Sequence, residues 1–466
     1  MSEPNSAARL AEPPAREPEA PASGRRADLL AVAAAVALVA AATTVGLYYN
    51  RPNSGVIIFV SSPPLFADWL PHVGPGSVFA VLIAVVVVLQ GPALADRLPW
   101  RRALAAGYLA SLAWIFSLTM VDGWQRGFAG HLTIPQEYLH EVPGITDIPR
   151  MLREFSSRIL DFQPNSWTTH VSGHPPGATL VFVWLDRIGL HGGAWAATAV
   201  VLVGSLVAVA VPATVALLGR ADAARAMLPF AVLTPGAVWI GVSADGMFAG
   251  VTATGLALLA LSARGFTGGR RYAAPVGVAA GLLLGFGIFL SYGLVLLGVL
   301  AVAVAILGRQ WRAAALAIAG ALAVVGVFAW AGFWWLDGYH LVVERYYQGV
   351  ALVRPYSYWV WADLAAVSVA LGPAVIAALR RGLAGARPSR ALLTDPVLLL
   401  GLAALLTIVF ADVSGLSKAE TERIWLPFGV WLLPLTALLP RPGRRWWLAA
   451  QAATALAVNH LLLTGW

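Results

Sequence analysis

The segment VDGWQRG sets a carboxylate, Asp122, directly after a long apolar run and directly before Gly123 and Trp124. A carboxylate at a membrane surface is partly desolvated, which raises its basicity and lets it take a proton from a hydroxyl. The plainer reading is an Asp that closes a helix junction, with Trp124 as a membrane-belt anchor. Asp68, in LFADWLPHVGPG, is a second carboxylate that could act as the base. Farther on, HVSGHPPGATL places His170 and His174 four residues apart. That spacing suits two zinc ligands on one helical face, but Ser172, Gly173 and Pro175 disfavour a helix and no HExxH glutamate is present, so no metal is expected. A rigid Gly-His-Pro-Pro-Gly turn leading into an apolar helix would instead present His174 to a site at the membrane surface. The alternative is an ordinary helix start with Pro in its first positions. Glu137 and Glu141, also four apart and on one face if that stretch is helical, could hold a cation or solvate their loop, and solvation is the expected role.

Two later segments carry a different chemistry. Residues 336–356 supply Asp337, His340, Glu344, Arg345 and Arg354 among Tyr339, Tyr346, Tyr347 and Tyr356, a mixture suited to stacking on a sugar ring and pairing with a phosphate. Residues 412–424 supply Asp412, Lys418, Glu420, Glu422 and Arg423 just before Trp425. Lys418 and Arg423 are the phosphate-binding candidates, with Glu422 beside them; the alternative is that they only neutralise the neighbouring glutamates. Asp245, in SADGMFAG, stands at the start of another apolar run. Asp363 and Asp395, near helix ends, read as caps or ion-pair partners.

The elements that must position these residues follow from composition. The 466-residue chain is 59% hydrophobic and only 12% charged, with the charges bunched, leaving uncharged stretches long enough to cross a hydrocarbon core of roughly 30 Å. This excludes a soluble enzyme, a disordered scaffold and a secreted disulfide module. Without cysteine there are no thiolate metal sites or thiol nucleophiles. Residues 1–27 are expected to be a disordered cytoplasmic tail and residues 28–466 one transmembrane domain of an all-α polytopic protein. Thirteen spans are predicted: 28–48, 77–95, 103–121, 193–218, 227–243, 246–263, 273–290, 293–307, 313–335, 357–379, 392–411, 425–440 and 446–464. The uncharged run from Tyr272 to Gly308 would be about 55 Å long as one helix, so it must turn, near Ser291 and Tyr292.

Residues 175–190 are apolar but begin Pro-Pro-Gly and contain Asp186 and Arg187, so they read as a partial or surface helix. With a cytoplasmic N-terminus, 21 of the 31 Lys and Arg then lie inside and 10 outside. Counting that segment as a span leaves 12 inside and 19 outside, against the positive-inside tendency. The net charge of +8 is thus an orientation signal, and no zinc-finger, RNP or basic-helix pattern argues for nucleic acid. All eight histidines fall outside or at an outer helix end, where the long loop 122–192, with short surface helices, also lies. Loops of that length are more often functional than merely connecting.

A carboxylate at an outer span end, a long loop closing with HPP before an apolar helix, and a later Asp245 together resemble the polyprenyl-phosphate-sugar-dependent glycosyltransferases of the GT-C fold. DGWQRG, HVSGHPPG and LSKAETERIWLPF are more narrowly similar to an actinobacterial membrane family of methylthioxylose transferases acting on lipoarabinomannan, over most of residues 60–440. The resemblance implies an inverting transferase in the plasma membrane. It would move a sugar from a polyprenyl-phosphate donor to a cell-envelope glycan or glycolipid, without a cofactor. It implies that Asp122 is the base; Asp68 stays open as the alternative, because two spans precede Asp122 and Gly123 stands where the family has an acidic residue. His174 would be catalytic. Asp68, Trp124, His170, Asp245, Tyr339, His340, Arg345, Lys418, Glu422 and Arg423 would bind substrate. The competing class is a membrane transporter or lipid-linked-sugar flippase, against which stands the lack of a clear internal repeat and of Lys or Arg inside the predicted spans. No P-loop, Rossmann fingerprint or GxSxG element supports a nucleotide or hydrolase reading.

Overall fold

The computed structural model describes residues 24–385 and 392–465. Among them helix predominates, and named strands are confined to Ala67–Trp69 and Leu462–Thr464. Among the described residues, eight helices are long and apolar enough to cross a membrane: Arg25–Tyr49, Ser77–Arg97, Trp100–Thr119, Gly193–Leu217, Ala244–Thr267, Ala273–Leu290, Trp311–Trp330 and Pro396–Val413. Several turn large apolar side chains outward; Leu82 is 54% exposed and Val327 61% exposed. In water such faces would be costly, and contact with lipid removes that cost. The Ala244–Thr267 helix is the opposite case: most of it is buried inside the protein, packed against Ala273–Leu290 and Val207–Leu217. The protein is an all-α polytopic membrane protein.

The thirteen expected spans become these eight, one sharply bent pair and shorter pieces. The segment 357–379 divides into Tyr356–Leu371 and Pro373–Gly385, bent by 110°. Gly372 at the break has φ +78°, and a Cβ there would lie 2.1 Å from Gln451 Oε1. The reason for the close approach is hydrogen bonding. Gln451, fully buried, donates to the Leu371 carbonyl (2.9 Å) and accepts from the Ala374 N–H (3.1 Å), satisfying one backbone group on each side of the break. Each would otherwise cost about 1–3 kcal/mol if buried unpaired.

The segment 227–243 is likewise interrupted. The helix Ala221–Val232 contains Pro229 and is followed by Thr234 and Pro235, after which Gly236 N–H donates to the Ala370 carbonyl at 2.8 Å. Residues 426–438 are a short helix, Leu426–Gly429, followed by a 3-10 stretch, Val430–Leu438, that contains Pro434. The Tyr272–Gly308 run does break at Ser291, which is extended (φ −152°), before a 3-10 turn Tyr292–Leu297 and the helix Gly298–Gly308. The last segment does not stay helical to residue 464. The helix Arg444–Leu461 gives way to the strand Leu462–Thr464, antiparallel to Ala67–Trp69 with Asp68 opposite Leu463.

The expected N-terminal tail lies mostly outside the described residues, at 1–23, and helix begins at Arg25. Asp28, 1% exposed, pins this helix to the bent segment by ion pairs to Arg380 (2.9 Å) and Arg381 (2.6 Å). The 122–192 loop folds as short pieces, including a π-helical turn Trp124–Ala129 and the helices Ile148–Glu154, Thr169–Gly173 and Pro176–Arg187. They close over a small aromatic core in which Trp167 packs on Phe155 and donates to its carbonyl (3.0 Å), while Tyr138 stacks on Phe182. The expectation against helix around His170 is corrected: one turn, Thr169–Gly173, forms there and ends at His174, which is extended because Pro175 follows.

Candidate functional site

A cavity of about 390 Å³ opens where four chain segments meet. The strand Ala67–Trp69 contributes Asp68, the turn after the Trp100–Thr119 helix contributes Asp122, Gln125 and Arg126, and the loop adds His131 and Thr133. The end of the chain supplies Asn459 and residues 463–465. The two carboxylates considered as alternative bases therefore line one cavity, and Asp68 reaches it because the strand pairing fixes its register against Leu463.

Asp122 is held tightly. Its Oδ1 lies 3.0 Å from His72 Nε2 and 3.2 Å from Arg126 Nη2, with the Asp122 side chain 11% exposed. The turn that aims it needs Gly127, where a Cβ would come within 1.9 Å of the Thr119 carbonyl oxygen. Arg126 is half-exposed and is the arginine that lines the cavity. Burial is the main influence on the His131 imidazole and lowers its pKa, so a neutral ring with hydrogen-bonding capacity faces the cavity at physiological pH.

Beside the cavity lies a buried polar network. Asp245, in the first turn of the Ala244–Thr267 helix that Ser243 caps, meets Arg423 Nη1 at 2.5 Å; Arg423 Nη2 meets Glu420 at 2.6 Å. Burial works against the Arg423 charge, but Asp245, Glu420 and Glu137 around it hold the guanidinium above its ordinary range. Glu137 is 3% exposed and pairs with His170 Nδ1 at 2.9 Å. Burial opposes its ionisation, and His170 outweighs this to keep the carboxyl below its usual value. The expectation that Glu137 and Glu141 solvate the loop is thus corrected: Glu137 belongs to the buried network, and Glu141 accepts from the Thr168 N–H at 3.0 Å.

His174 does not line the cavity. Its Nδ1–H donates to the His170 carbonyl (2.8 Å), and its ring sits among Tyr138, Phe248 and His170. Burial pushes its pKa down to about 4, so it is neutral at physiological pH and organises the wall behind the site. Trp124, 51% exposed, rests against Phe128 rather than on the cavity lining.

The remaining expected site residues fall elsewhere. Lys418, 8% exposed, donates from Nζ to the Ala351 carbonyl (2.9 Å) above the Tyr347 ring. Arg354 likewise donates to the carbonyls of Ile58 and Lys418. Lys418 and Arg354 are occupied by backbone carbonyls and Arg423 by carboxylates, so the two phosphate-binding candidates, Lys418 and Arg423, are both buried and engaged within the protein. The helix Trp335–Gln348 carries Tyr339, stacked on Trp335, exposed His340, and Arg345, paired with Asp161 at 2.6 Å. None of these three lines the cavity.

Glu422, 1% exposed, accepts the Phe66 N–H at 2.7 Å and so ties the strand bearing Asp68 to the Arg423 network. Burial raises its pKa to about 7 from an ordinary 4.5. A carboxyl raised in the fold contributes stability that is complete below its unfolded value and is lost as pH climbs through the window from there to about 7. Glu422→Gln keeps the acceptor without the charge. The melting temperature of the variant minus that of the wild type should therefore rise between pH 5 and 8. A difference independent of pH would show that Glu422 does not titrate there.

Sequence reasoning missed His72, Gln125, Arg126, His131 and Asn459 as members of one site. The only signal was their polarity near span ends, since no spacing links residues 68–72 with 122–133 and 459–465. The chain matches no family model, no curated protein and no solved structure.

Proposed function

We propose that the protein is a membrane glycosyltransferase that moves a sugar from a polyprenyl-phosphate donor to an extracytoplasmic glycan or glycolipid, with its N-terminus cytoplasmic and its cavity on the outer side of the plasma membrane. The observation that carries the reading is the cavity at the helix ends of a lipid-facing bundle, where Asp122 and Asp68 stand beside Arg126 and His131. A lipid-anchored donor requires a polar groove at the membrane surface, and a hydroxyl acceptor requires a base there. Asp122 takes the proton of the acceptor hydroxyl. The freed oxygen attacks the anomeric carbon, and the bond from that carbon to the phosphate oxygen breaks with its electron pair leaving on the phosphate. Arg126, the cavity's arginine, stabilises the departing charge, while Asp245, Arg423 and Glu420 form the rigid wall. The resemblance to methylthioxylose transferases suggests a methylthioxylose-type or other pentose or hexose sugar and a cell-envelope polysaccharide such as lipoarabinomannan.

A second reading, a transporter or lipid-linked-sugar flippase, is favoured by one observation, the 110° break at Gly372, because broken helices mark many transporter sites. One experiment separates the two. Membranes containing the full chain, incubated with a panel of labelled polyprenyl-phosphate sugars and an envelope glycan fraction, should move label to the glycan. Movement of labelled lipid between leaflets of a reconstituted vesicle with no transfer to any acceptor would favour the second reading and reject the first.

A further inference from the structure

Asp122 is held at only one of its two oxygens. His72 and Arg126 both address Oδ1, and among the described residues no protein group partners Oδ2, which is not buried away from the cavity. His72 is itself fixed: its Nδ1 lies 2.6 Å from the Leu70 carbonyl oxygen. A carbonyl only accepts, so the proton is on Nδ1 and Nε2 is the nitrogen turned to the carboxylate. Nε2 stands 3.0 Å from Oδ1, within ion-pair distance though not aligned as a hydrogen bond, whereas Arg126 donates a hydrogen bond to the same oxygen. The segment carrying His72 is held in turn, because the His72 N–H donates to the His460 carbonyl at 2.8 Å, next to the cavity-lining Asn459. The other charged or titratable groups facing this pair across the cavity are Asp68, Arg126 and His131.

We infer that His72 is a positioning residue for Asp122: anchored at Leu70, it clamps Oδ1 together with Arg126 and leaves Oδ2 as the one oxygen presented to a hydroxyl in the cavity. This rests on the transferase reading for its chemistry, but the clamp itself is independent of the donor. Holding a base within a fraction of an ångström is worth up to about 10²-fold in rate. A residue that positions the base acts through it, so removing both should cost no more than removing the base alone.

The test uses the full chain in membranes and in lipid nanodiscs. His72→Ala should lower kcat about 10- to 100-fold with donor KM changed less than about threefold. His72→Gln, whose side-chain amide can reach and donate to Oδ1, should recover most of that loss. The double variant His72→Ala with Asp122→Asn should be no slower than Asp122→Asn. A normal rate in His72→Ala, or additive losses in the double variant, overturns the clamp. The second readout needs no donor. In magic-angle-spinning spectra of protein labelled with ¹⁵N-histidine, the ring signals that vanish in His72→Gln should shift in Asp122→Asn. If they do so while no sugar is transferred, the clamp stands and the transferase reading fails. If transfer depends on Asp122 but those signals ignore Asp122→Asn, the clamp fails and the reading stands.

Discussion

On the proposed transferase reading, replacing Asp122 by Asn should lower sugar transfer about 10²- to 10⁴-fold, the usual range for losing a general base, while the protein still inserts and still binds donor lipid. Asn keeps the size and one hydrogen-bond acceptor, so the positions of His72 and Arg126 should survive; only the capacity to hold the acceptor's proton is removed. Donor KM should change little, because the interaction is made in the transition state. Asp68 lines the same cavity and supplies the control. If Asp122→Asn is near normal and Asp68→Asn is inactive, the base is Asp68. Activity in both variants removes carboxylate-base chemistry from this site.

The second large effect is on stability. Arg423→Ala should leave Asp245 and Glu420 without their cation, with Asp245 only 3% exposed, and breaking such a buried pair costs about 3–5 kcal/mol. Against total stabilities of about 5–15 kcal/mol, that should show as a large drop in melting temperature in detergent, along with lower yield. The discriminating partner is the double variant Arg423→Met with Asp245→Leu. It removes both buried charges and fills the space with apolar atoms, so it should regain much of the loss, while Glu420, 19% exposed, turns to water. A double variant as unstable as Arg423→Ala would mean that the guanidinium's contribution does not come from pairing with Asp245.

Much of the helical scaffold was readable because lipid imposes a simple rule: a span must be long, apolar and nearly free of charge. The spans at 28–48, 77–95, 246–263 and 273–290 each fall within a single helix of spanning length, and the break at Ser291 followed from the length of an uncharged run. The rule fails where a helix is interrupted inside the protein. Residues 357–379 pass every test of composition, yet the chain turns at Gly372 because Gln451, about eighty residues later, is placed to satisfy the freed backbone groups. The strand at Leu462–Thr464 was read as the end of a span for the same reason: its partner, Ala67–Trp69, lies at the far end of the sequence.

The candidate site divides along the same line. Asp122, Asp68, Asp245 and the histidines could be singled out by residue type and by their position at the ends of apolar runs, which is a local property. Their grouping could not. Whether a charged side chain faces a cavity or pairs inside the protein depends on which distant carbonyl or carboxylate the fold brings to it. Lys418 ends on the Ala351 carbonyl and Arg423 on Asp245, whereas Arg126 keeps access to the cavity and His72 reaches Asp122. Composition and charge bunching determined by themselves that this chain is a polytopic helical membrane protein, because the free energy of placing each residue in lipid or water is a property of that residue. Only the tertiary structure decided which polar groups form the site, because pairing energies depend on separations of a few ångströms between residues hundreds of positions apart.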